Sequence, residues 1–431
     1  MKDIDSSTKN FIINNLVNNV LEITVYNEQD VPYMTITEEN IVSESMVLKQ
    51  SICDESDLKF GGCIASEFNI DLINTESRVF SNDLAGKQII AVLKQTFTTD
   101  TWLYPKRNLY PSSKLYPGKI NDSKLWYLFR GRIDSAERDQ NNKNIRHIVA
   151  YDAFATMYQM DATNILYDCL KNSAKFGTIL KSCVPIKISD NVDDILNTVI
   201  INENIGLTLN DMPIFNDDWL NSNETISKGD IVRMCCEMIG GFGVIVQTKT
   251  SAVFDIIFFN GSNEYGPHFE TYDFYEELYN EEYVTSGYNY FVYPIGGNDR
   301  NEKTHKVELD TGTTSTERVY DLSDNILCWQ KYDGTGYPSS SNTTILNLIS
   351  SFSGTKMFVP RYTPLSAKLD GRLWVECGDR FRIVINQTDT EGNYVYDEDG
   401  NVLTEKVKSY VLSRTLTGIK ALTDEIEAKG V

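Results

Sequence analysis

The spacing of apolar positions changes along the chain between a strand period and a helical period. Leu21, Ile23 and Val25 alternate with polar residues, a period of two that is typical of a half-buried strand. Further strands are predicted between residues 44 and 153, at 64–72, 88–93, 126–133 and 145–151. The first residues, 1–20, are predicted to form an arm or helix. We therefore expect residues 21–154 to form a mainly β domain.

A helical period replaces the alternation beyond residue 152, where short helices are predicted at 153–160, 163–170 and 192–199. Ser227 and Asp230 have the spacing of a capping box, in which each side chain accepts a backbone N–H near the other residue. The helix that they open can end at Gly240-Gly241, because glycine readily adopts positive φ. Two strands, 242–247 and 252–259, follow. Residues 155–265 are expected to be an inserted α/β region.

Residues 266–431 return to a β pattern, with strands predicted at 326–329, 373–375, 380–385 and 407–416. The acidic, glycine-containing turns 389–393 and 397–401 are typical of hairpins, so a protruding hairpin is predicted near 386–406. The fold class is therefore mainly β with α+β insertions. The order β, α/β, β is consistent with two β-barrel-like domains, 21–154 and 266–431, around a small α/β unit.

Aromatic residues are concentrated in segments that are predicted to be exposed. The stretch 98–124 is rich in Pro, Tyr, Ser and Gly and is predicted to be a long loop. Tyrosine and tryptophan rings bind partners or sugars well because they are rigid and amphipathic, although such a loop can equally pack its rings on its own domain. The candidate interface residues are Trp102, Tyr104, Tyr110, Tyr116, Tyr394 and Tyr396.

Length and charge exclude several classes of protein. A chain of 431 residues suggests two to four domains. The formal net charge is −21 and no Lys/Arg cluster is present, so specific nucleic-acid binding is disfavoured. No apolar run is long enough for a membrane segment, and the polar start lacks a secretory signal. We expect the chain to stay where it is made or to leave by cell lysis.

The candidate chemistry is sparse. His147, His268 and His305 have no metal-ligand spacing, and no nucleophile signature is present. The turn at 397–401 lacks the acidic twelfth ligand of a calcium loop, since position 408 is lysine. The eight cysteines contain no C-x-x-C pair and are expected to be small buried hydrophobes, with a Cys53–Cys63 pair as a minor alternative. We predict no catalytic residue, no metal and no cofactor.

Three stretches, in this order, resemble the tail-hub family of phages, prophages and phage-derived injection systems. Residues 51–68, S-I-C-D-E-S-D-L-K-F-G-G-C-I-A-S-E-F, are similar to a strand pair near the family's N-terminus. Residues 129–133, F-R-G-R-I, and 149–153, V-A-Y-D-A, are similar to a strand and to the strand end that enters the inserted helices. Residues 376–384 and 413–418 are similar to the closing strands of the second barrel.

The resemblance implies a baseplate hub at the tail tip, built from two barrel-like domains per chain and assembled as a homotrimer. It implies contacts with a distal tail or tail tube protein, the tape measure protein, and a tail fibre, spike or receptor-binding protein. The expected location is the virion, after assembly in the host cytoplasm. Many relatives carry a C-terminal hydrolase or host-binding extension, whereas this sequence stops at Val431, which favours a structural role. A tail-associated peptidoglycan hydrolase and a carbohydrate-binding β protein in host recognition remain the alternatives.

Overall fold

The computed structural model describes residues 17–27, 31–53, 60–73, 83–100, 119–171, 176–184, 199–201, 225–257, 269–272, 277–278, 290–296, 303–308, 319–328, 330–331 and 365–428. The first seven strands are β1 (Asn18–Tyr26), β2 (Pro32–Ile36), β3 (Val47–Ser51), β4 (Glu67–Ile73), β5 (Gln88–Asp100), β6 (Lys119–Arg138) and β7 (Ile145–Tyr151). The next seven are β8 (Val199–Ile201), β9 (Phe242–Gln247), β10 (Ala252–Ile257), β11 (Phe269–Tyr272), β12 (Glu277–Leu278), β13 (Tyr290–Gly296) and β14 (Lys303–Glu308). The remaining strands are β15 (Val319–Asp321), β16 (Gln330–Lys331), β17 (Leu365–Asp370), β18 (Arg380–Asn386), β19 (Thr404–Tyr410), β20 (Ser413–Thr417) and β21 (Thr423–Ala428).

One large sheet joins the two ends of the described chain. It has 11 strands in the order β12-β17-β21-β20-β3-β4-β7-β6-β5-β1-β2. The link between early and late strands is the antiparallel pair β3–β20, in which Leu48 lies opposite Leu416. Both leucines are buried, as expected where alternating strands share one apolar face. Strands from the two predicted β regions are therefore hydrogen-bonded in a single sheet.

The helices lie in the inserted region. They are α1 (Ala153–Gln159), α2 (Thr163–Lys171), α3 (Phe176–Cys183) and α4 (Lys228–Met238). The predicted capping box of α4 is present, because Ser227 accepts the N–H of Asp230 and the Asp230 carboxylate accepts the N–H of Ser227. The helix ends at a turn in which Gly240 has a φ of 67°. Strands β9 and β10 form the expected hairpin, with β8 parallel to β10.

Two smaller sheets complete the described fold. One has the order β11-β18-β19, and the other joins β13 with β14, β15 and β16. Buried side chains form one continuous hydrophobic cluster that runs from the large sheet into the insertion. Its largest members include Trp126 and Trp374, whose ring centroids are 6.3 Å apart although the two residues are 248 positions apart in the sequence. The core therefore connects strand β6 to the turn before β18.

The structure confirms the mainly β class with helical insertions and corrects several elements. Strand β1 begins at Asn18, inside the predicted N-terminal arm. Residues 98–100 and 119–124, at the two ends of the predicted loop 98–124, belong to β5 and β6, and residues 101–118 lie outside the described residues. Residues 326–328 form a 3-10 helix rather than a strand, and 373–375 lie in a turn that buries Trp374. Val199 opens β8 instead of ending a helix. The domain boundaries stay predictions.

Candidate functional site

The residues that resemble the hub family meet where the insertion joins the large sheet. Asp152, at the end of β7, accepts the N–H of Ser66 at 2.9 Å and the N–H of Phe154 at 3.0 Å. The first bond joins the 51–68 stretch to the 149–153 stretch, and the second caps α1. Asp152 is 1% exposed. Burial raises the pKa of its carboxyl to about 6, against the lowering effect of these hydrogen bonds.

Glycines in the same stretches allow backbone segments to approach closely. A Cβ atom on Gly62 would overlap the carbonyl oxygen of Ile52, and one on Gly131 would overlap that of Tyr151. No side chain larger than hydrogen fits at either position without backbone movement. The close packing of backbone segments within this chain therefore explains why glycine stands at both positions of the family-like stretches.

Arg130 fastens the insertion to β6. Its guanidinium donates to the carbonyl oxygens of Thr248 at 2.6 Å and Lys249 at 2.7 Å, in the turn between β9 and β10. The side chain is 2% exposed, and burial lowers its pKa from the usual value for arginine. The turn is also closed by Thr248, whose hydroxyl donates to the Ser251 carbonyl oxygen at 2.7 Å.

The other two family-like stretches contact the insertion as well. The N–H of Gly61 donates to the carbonyl oxygen of Gly241, 2.8 Å away, at the end of α4. Gly378 has a φ of 87°, and a Cβ atom there would lie 2.5 Å from Cδ1 of Ile257 in β10. All three stretches therefore hold the α/β insertion against the sheet, and this contact region is called the insertion junction below.

A carboxylate and an ion pair hold the last strands to the rest of the sheet. Glu44, at a φ of 57°, accepts the N–H groups of Ile419 at 2.7 Å and Lys420 at 3.0 Å in the turn between β20 and β21. Arg414 donates to Asp424 at 2.6 and 2.9 Å, with side chains 4% and 0% exposed. Arg414 also donates to the carbonyl oxygens of Val375 and Arg372. These hydrogen bonds hold strands β20 and β21 to the rest of the large sheet.

Strands β5 and β6 form a long hairpin arm. They stay paired out to Asp100 and Lys119, whereas β1 pairs with β5 only as far as Thr96. The pairing of β5 with β6 therefore continues beyond the described pairing of β5 with β1, and residues 101–118 connect the two strands in sequence. Four predicted interface residues belong to that segment and lie outside the described residues: Trp102, Tyr104, Tyr110 and Tyr116. Their role stays a prediction.

A second hairpin, between β18 and β19, carries the other two predicted interface residues. Tyr394 is 52% exposed and Tyr396 is 57% exposed. The Asp389 carboxylate accepts the N–H of Asn393 at 2.9 Å, and that of Asp397 accepts the N–H of Asn401 at 2.8 Å. These backbone donors lower the pKa of both carboxyls from the usual aspartate value. We call residues 387–403 the tyrosine hairpin, which presents two accessible rings between two ordered acidic turns.

The histidines in the described part of the chain have different surroundings. His147 lies between the carboxylates of Asp71, at 2.5 Å, and Asp139, at 3.0 Å, which raise its pKa. His305 packs edge-on against Tyr293, and His268 lies outside the described residues. Within the described ranges, no group of three or more His, Cys, Asp or Glu side chains is arranged to hold a metal ion. Among the same residues, no helix is long and apolar enough to cross a membrane.

The interface role predicted for Tyr394 and Tyr396 stays a prediction, and the sequence did not single out the residues that hold the insertion junction and the closing strands. Arg130 and Glu44 have no local motif, because their partners lie 118 and 375 positions away. Asp152 was included in the family-like stretch, yet its bond to Ser66 depends on the pairing of β4 with β7. The signal that could have found Arg130 is its position directly after the apolar run 125–129.

Two solved structures align with nearly the whole chain. One is the 43 kDa tail protein of prophage MuSo2 from Shewanella oneidensis, with 9% identity, a TM-score of 0.38, and coverage of 94% of this chain and 96% of that one. The other is the E. coli c3393 protein, with 6% identity, a TM-score of 0.36, and coverage of 94% and 76%. It is described as a type VI secretion component with structural similarity to the T4 bacteriophage tail proteins gp27 and gp5. No family model and no curated protein matches the chain.

Proposed function

We propose that the chain is a structural hub protein at the tip of a phage or phage-like tail. In this proposal, a homotrimer joins the tail tube or distal tail rings to the tip fibre or spike. It closes the channel around the tape measure protein until DNA is ejected. The protein is assembled in the bacterial cytoplasm and resides in the virion. Its role is structural, without a catalytic residue or a cofactor.

The observation that carries the proposal is the insertion junction. Three stretches that resemble the hub family in sequence order also make the contacts that join one sheet to its insertion, through Asp152, Arg130 and Gly378. Family-like residues that also lie next to each other in the fold support a shared architecture more strongly than scattered similarities do. Because fold alone does not imply function, the assembly role needs its own test.

The two projecting hairpins are the surfaces that we assign to neighbouring tail proteins. The β5–β6 arm carries the aromatic segment 101–118, and the tyrosine hairpin presents Tyr394 and Tyr396. Tyrosine is enriched in protein interfaces because its ring gives a large contact area and its hydroxyl forms a hydrogen bond. A distal tail protein and a fibre or spike protein are the proposed partners of these two surfaces.

The mass of the purified chain in solution tests the homotrimer. One chain has a mass of 49.0 kDa, so light scattering should give three times that value. The measurement should be made alone and after mixing with the distal tail protein encoded nearby, since a hub can trimerise on assembly. One or two copies under both conditions would contradict the trimer.

The hydrolase alternative is separated by a zymogram. The purified chain is run in a gel that contains peptidoglycan, beside a lysozyme control. The structural role predicts no clearing at the position of the chain. A cleared band that persists in independent preparations would replace the hub by a tail-associated peptidoglycan hydrolase.

Carbohydrate binding is a second candidate function, favoured by the two exposed tyrosines of the tyrosine hairpin. Tyr394 and Tyr396 lie two residues apart, each in an isolated bridge outside the named strands, and exposed tyrosine rings can stack on sugars. Glycan-array binding that is lost in the double variant Tyr394→Ala/Tyr396→Ala would favour this function. Equal signals for the double variant and the unmodified chain would remove it from this surface.

A further inference from the structure

Two cysteines from distant parts of the chain face each other inside the insertion junction. The Sγ atoms of Cys63 and Cys236 are 3.8 Å apart, although the residues are separated by 173 positions. Cys63 is 2% exposed and Cys236 is fully buried at 0%. Both are free thiols. The separation is the normal contact distance of two thiols and leaves no room for another group between the sulfur atoms.

The backbone around Cys63 is held at several points, so this contact is not a chance rotamer. Gly61 is hydrogen-bonded to Gly241 at 2.8 Å, and Tyr158 donates its hydroxyl to the carbonyl oxygen of Cys63 at 3.1 Å. The ring of Phe60 packs on that of Phe242 with centroids 5.3 Å apart.

On the far side of the pair, the absence of a side chain at Gly243 makes room for both thiols. A Cβ atom at this position would overlap the Sγ atom of Cys63 and would lie 3.2 Å from the Sγ atom of Cys236. Position 243 therefore has to be glycine for the two sulfur atoms to meet here. The pair lies in a space shaped by the surrounding backbone.

We propose that Cys63 and Cys236 form a latent disulfide, a modification site that bonds the loop before β4 to helix α4. The sulfur atoms need to approach from 3.8 Å to about 2.05 Å, a movement that the two side chains share. The oxidant is a low-molecular-weight disulfide. Its S–S bond breaks, one S–S bond forms between Cys63 and Cys236, and the two protons and two electrons leave with two molecules of the reduced thiol.

Burial controls when the bond forms. It raises the pKa of the Cys236 thiol well above the usual value, and thiolate is the reactive form. Oxidation is therefore slow in the closed fold and proceeds through local opening of the junction. The next step rests on the proposed function: the chain folds reduced in the cytoplasm and meets an oxidising medium after lysis. The bond then adds a covalent link to a finished tail tip.

The bond has a physical consequence that does not depend on any tail. It joins segments 173 positions apart, so it restricts the unfolded chain far more than a local link does. The loop before β4 and helix α4 would then stay covalently joined even when the junction opens. The oxidised chain should melt about 5 °C higher than the reduced chain.

The test is a disulfide map of the purified full chain. The protein is incubated with oxidised glutathione in graded urea below its unfolding transition, and free thiols are then blocked and peptides are analysed without reduction. The proposal predicts one dominant linked peptide that joins Cys63 to Cys236, with faster formation as urea rises. The melting temperature should rise with the linked fraction and return to its starting value after reduction.

Matched variants make the result specific. Cys236→Ala should abolish the linked peptide and the thermal shift, whereas Cys235→Ala, at the neighbouring buried cysteine, should retain both. Both thiols remaining free at every urea concentration would overturn the proposal, and so would a map dominated by other pairs. The unmodified chain decides the matter even where a variant fails to fold. A negative map leaves the trimer measurement unaffected, so the two proposals fail independently.

Discussion

Two buried carboxyl groups make the stability of the chain depend on pH in a defined window. Asp152 caps α1, and Asp379 accepts the N–H of Glu376 at 2.8 Å. Burial raises the pKa of each to about 6 from the usual 3.8. The folded chain therefore holds protons that the unfolded chain releases between about pH 4 and pH 6. Because the folded state binds more protons in this window, the free energy of unfolding falls as pH rises through it.

Asp152→Asn should remove its share of this dependence. Each carboxyl contributes up to about 3 kcal/mol of change across the window. Urea unfolding at pH 4, 5, 6 and 7 should therefore show a smaller loss of stability for the variant than for the unmodified chain. Asp379→Asn, tested in parallel, should have a similar effect. Identical pH profiles for all three proteins would show that neither carboxyl titrates in this window.

The ion pair between Arg414 and Asp424 provides a second prediction for a single residue. Both side chains are almost fully buried, so Arg414→Met leaves a carboxylate without its partner away from water. We expect unfolding to become easier by about 3–5 kcal/mol. Lys49→Met is the matched control, since it breaks an ion pair to Glu67 in which the lysine is 54% exposed, and it should cost less than about 1 kcal/mol. Equal losses for both variants would contradict the burial argument.

The insertion junction links separate elements, and Arg130 is its most direct test. Arg130→Met removes two charge-assisted hydrogen bonds to the turn between β9 and β10. The free energy of local opening at this turn should therefore fall by about 2–3 kcal/mol. Hydrogen exchange should become faster at residues 242–257 and stay unchanged in β1. Arg132→Met, two positions along the same strand, is the control. Unchanged exchange in β9 and β10 would mean that other contacts hold the insertion.

Elements with a clear local signal were predictable from the sequence, and elements defined by distant contacts were not. The alternation in β7 and the capping box of α4 depend on residues within one segment, and both predictions are confirmed. Residues 326–328 and 373–375 have strand-like apolar runs, but they form a 3-10 helix and a turn because burial of Leu327 and Trp374 decides their conformation. The pair β3–β20 joins positions 48 and 416, and no local pattern predicts it.

The candidate site shows the same division. Tyr394 and Tyr396 lie between turns whose chemistry predicts a hairpin, and the structure exposes both rings, while their interface role stays a prediction. Glu44 was not identified, since its role depends on a turn 375 positions away. A glutamate at positive φ is unusual, but φ is not visible in a sequence.

In the whole molecule, the tyrosine hairpin should bind a neighbouring protein without contributing to the stability of the fold. The double variant Tyr394→Ser/Tyr396→Ser removes two exposed rings, so its urea unfolding should match that of the unmodified chain within about 0.5 kcal/mol. Pull-down with the distal tail protein and with the fibre or spike protein should show at least a tenfold weaker interaction with one of them. Unchanged binding to both would remove this hairpin from the interface.

The proposed place of the chain at a tail tip can be tested by locating the chain in a particle. Phage-like particles purified from the bacterium that encodes the chain are labelled with an antibody against it and viewed by electron microscopy with gold detection. Label is expected at the end of the tail distal to the head, or at the corresponding end of a headless particle. Particles that carry no label, or that carry it on the head or along the tube, would show that the proposed location is wrong.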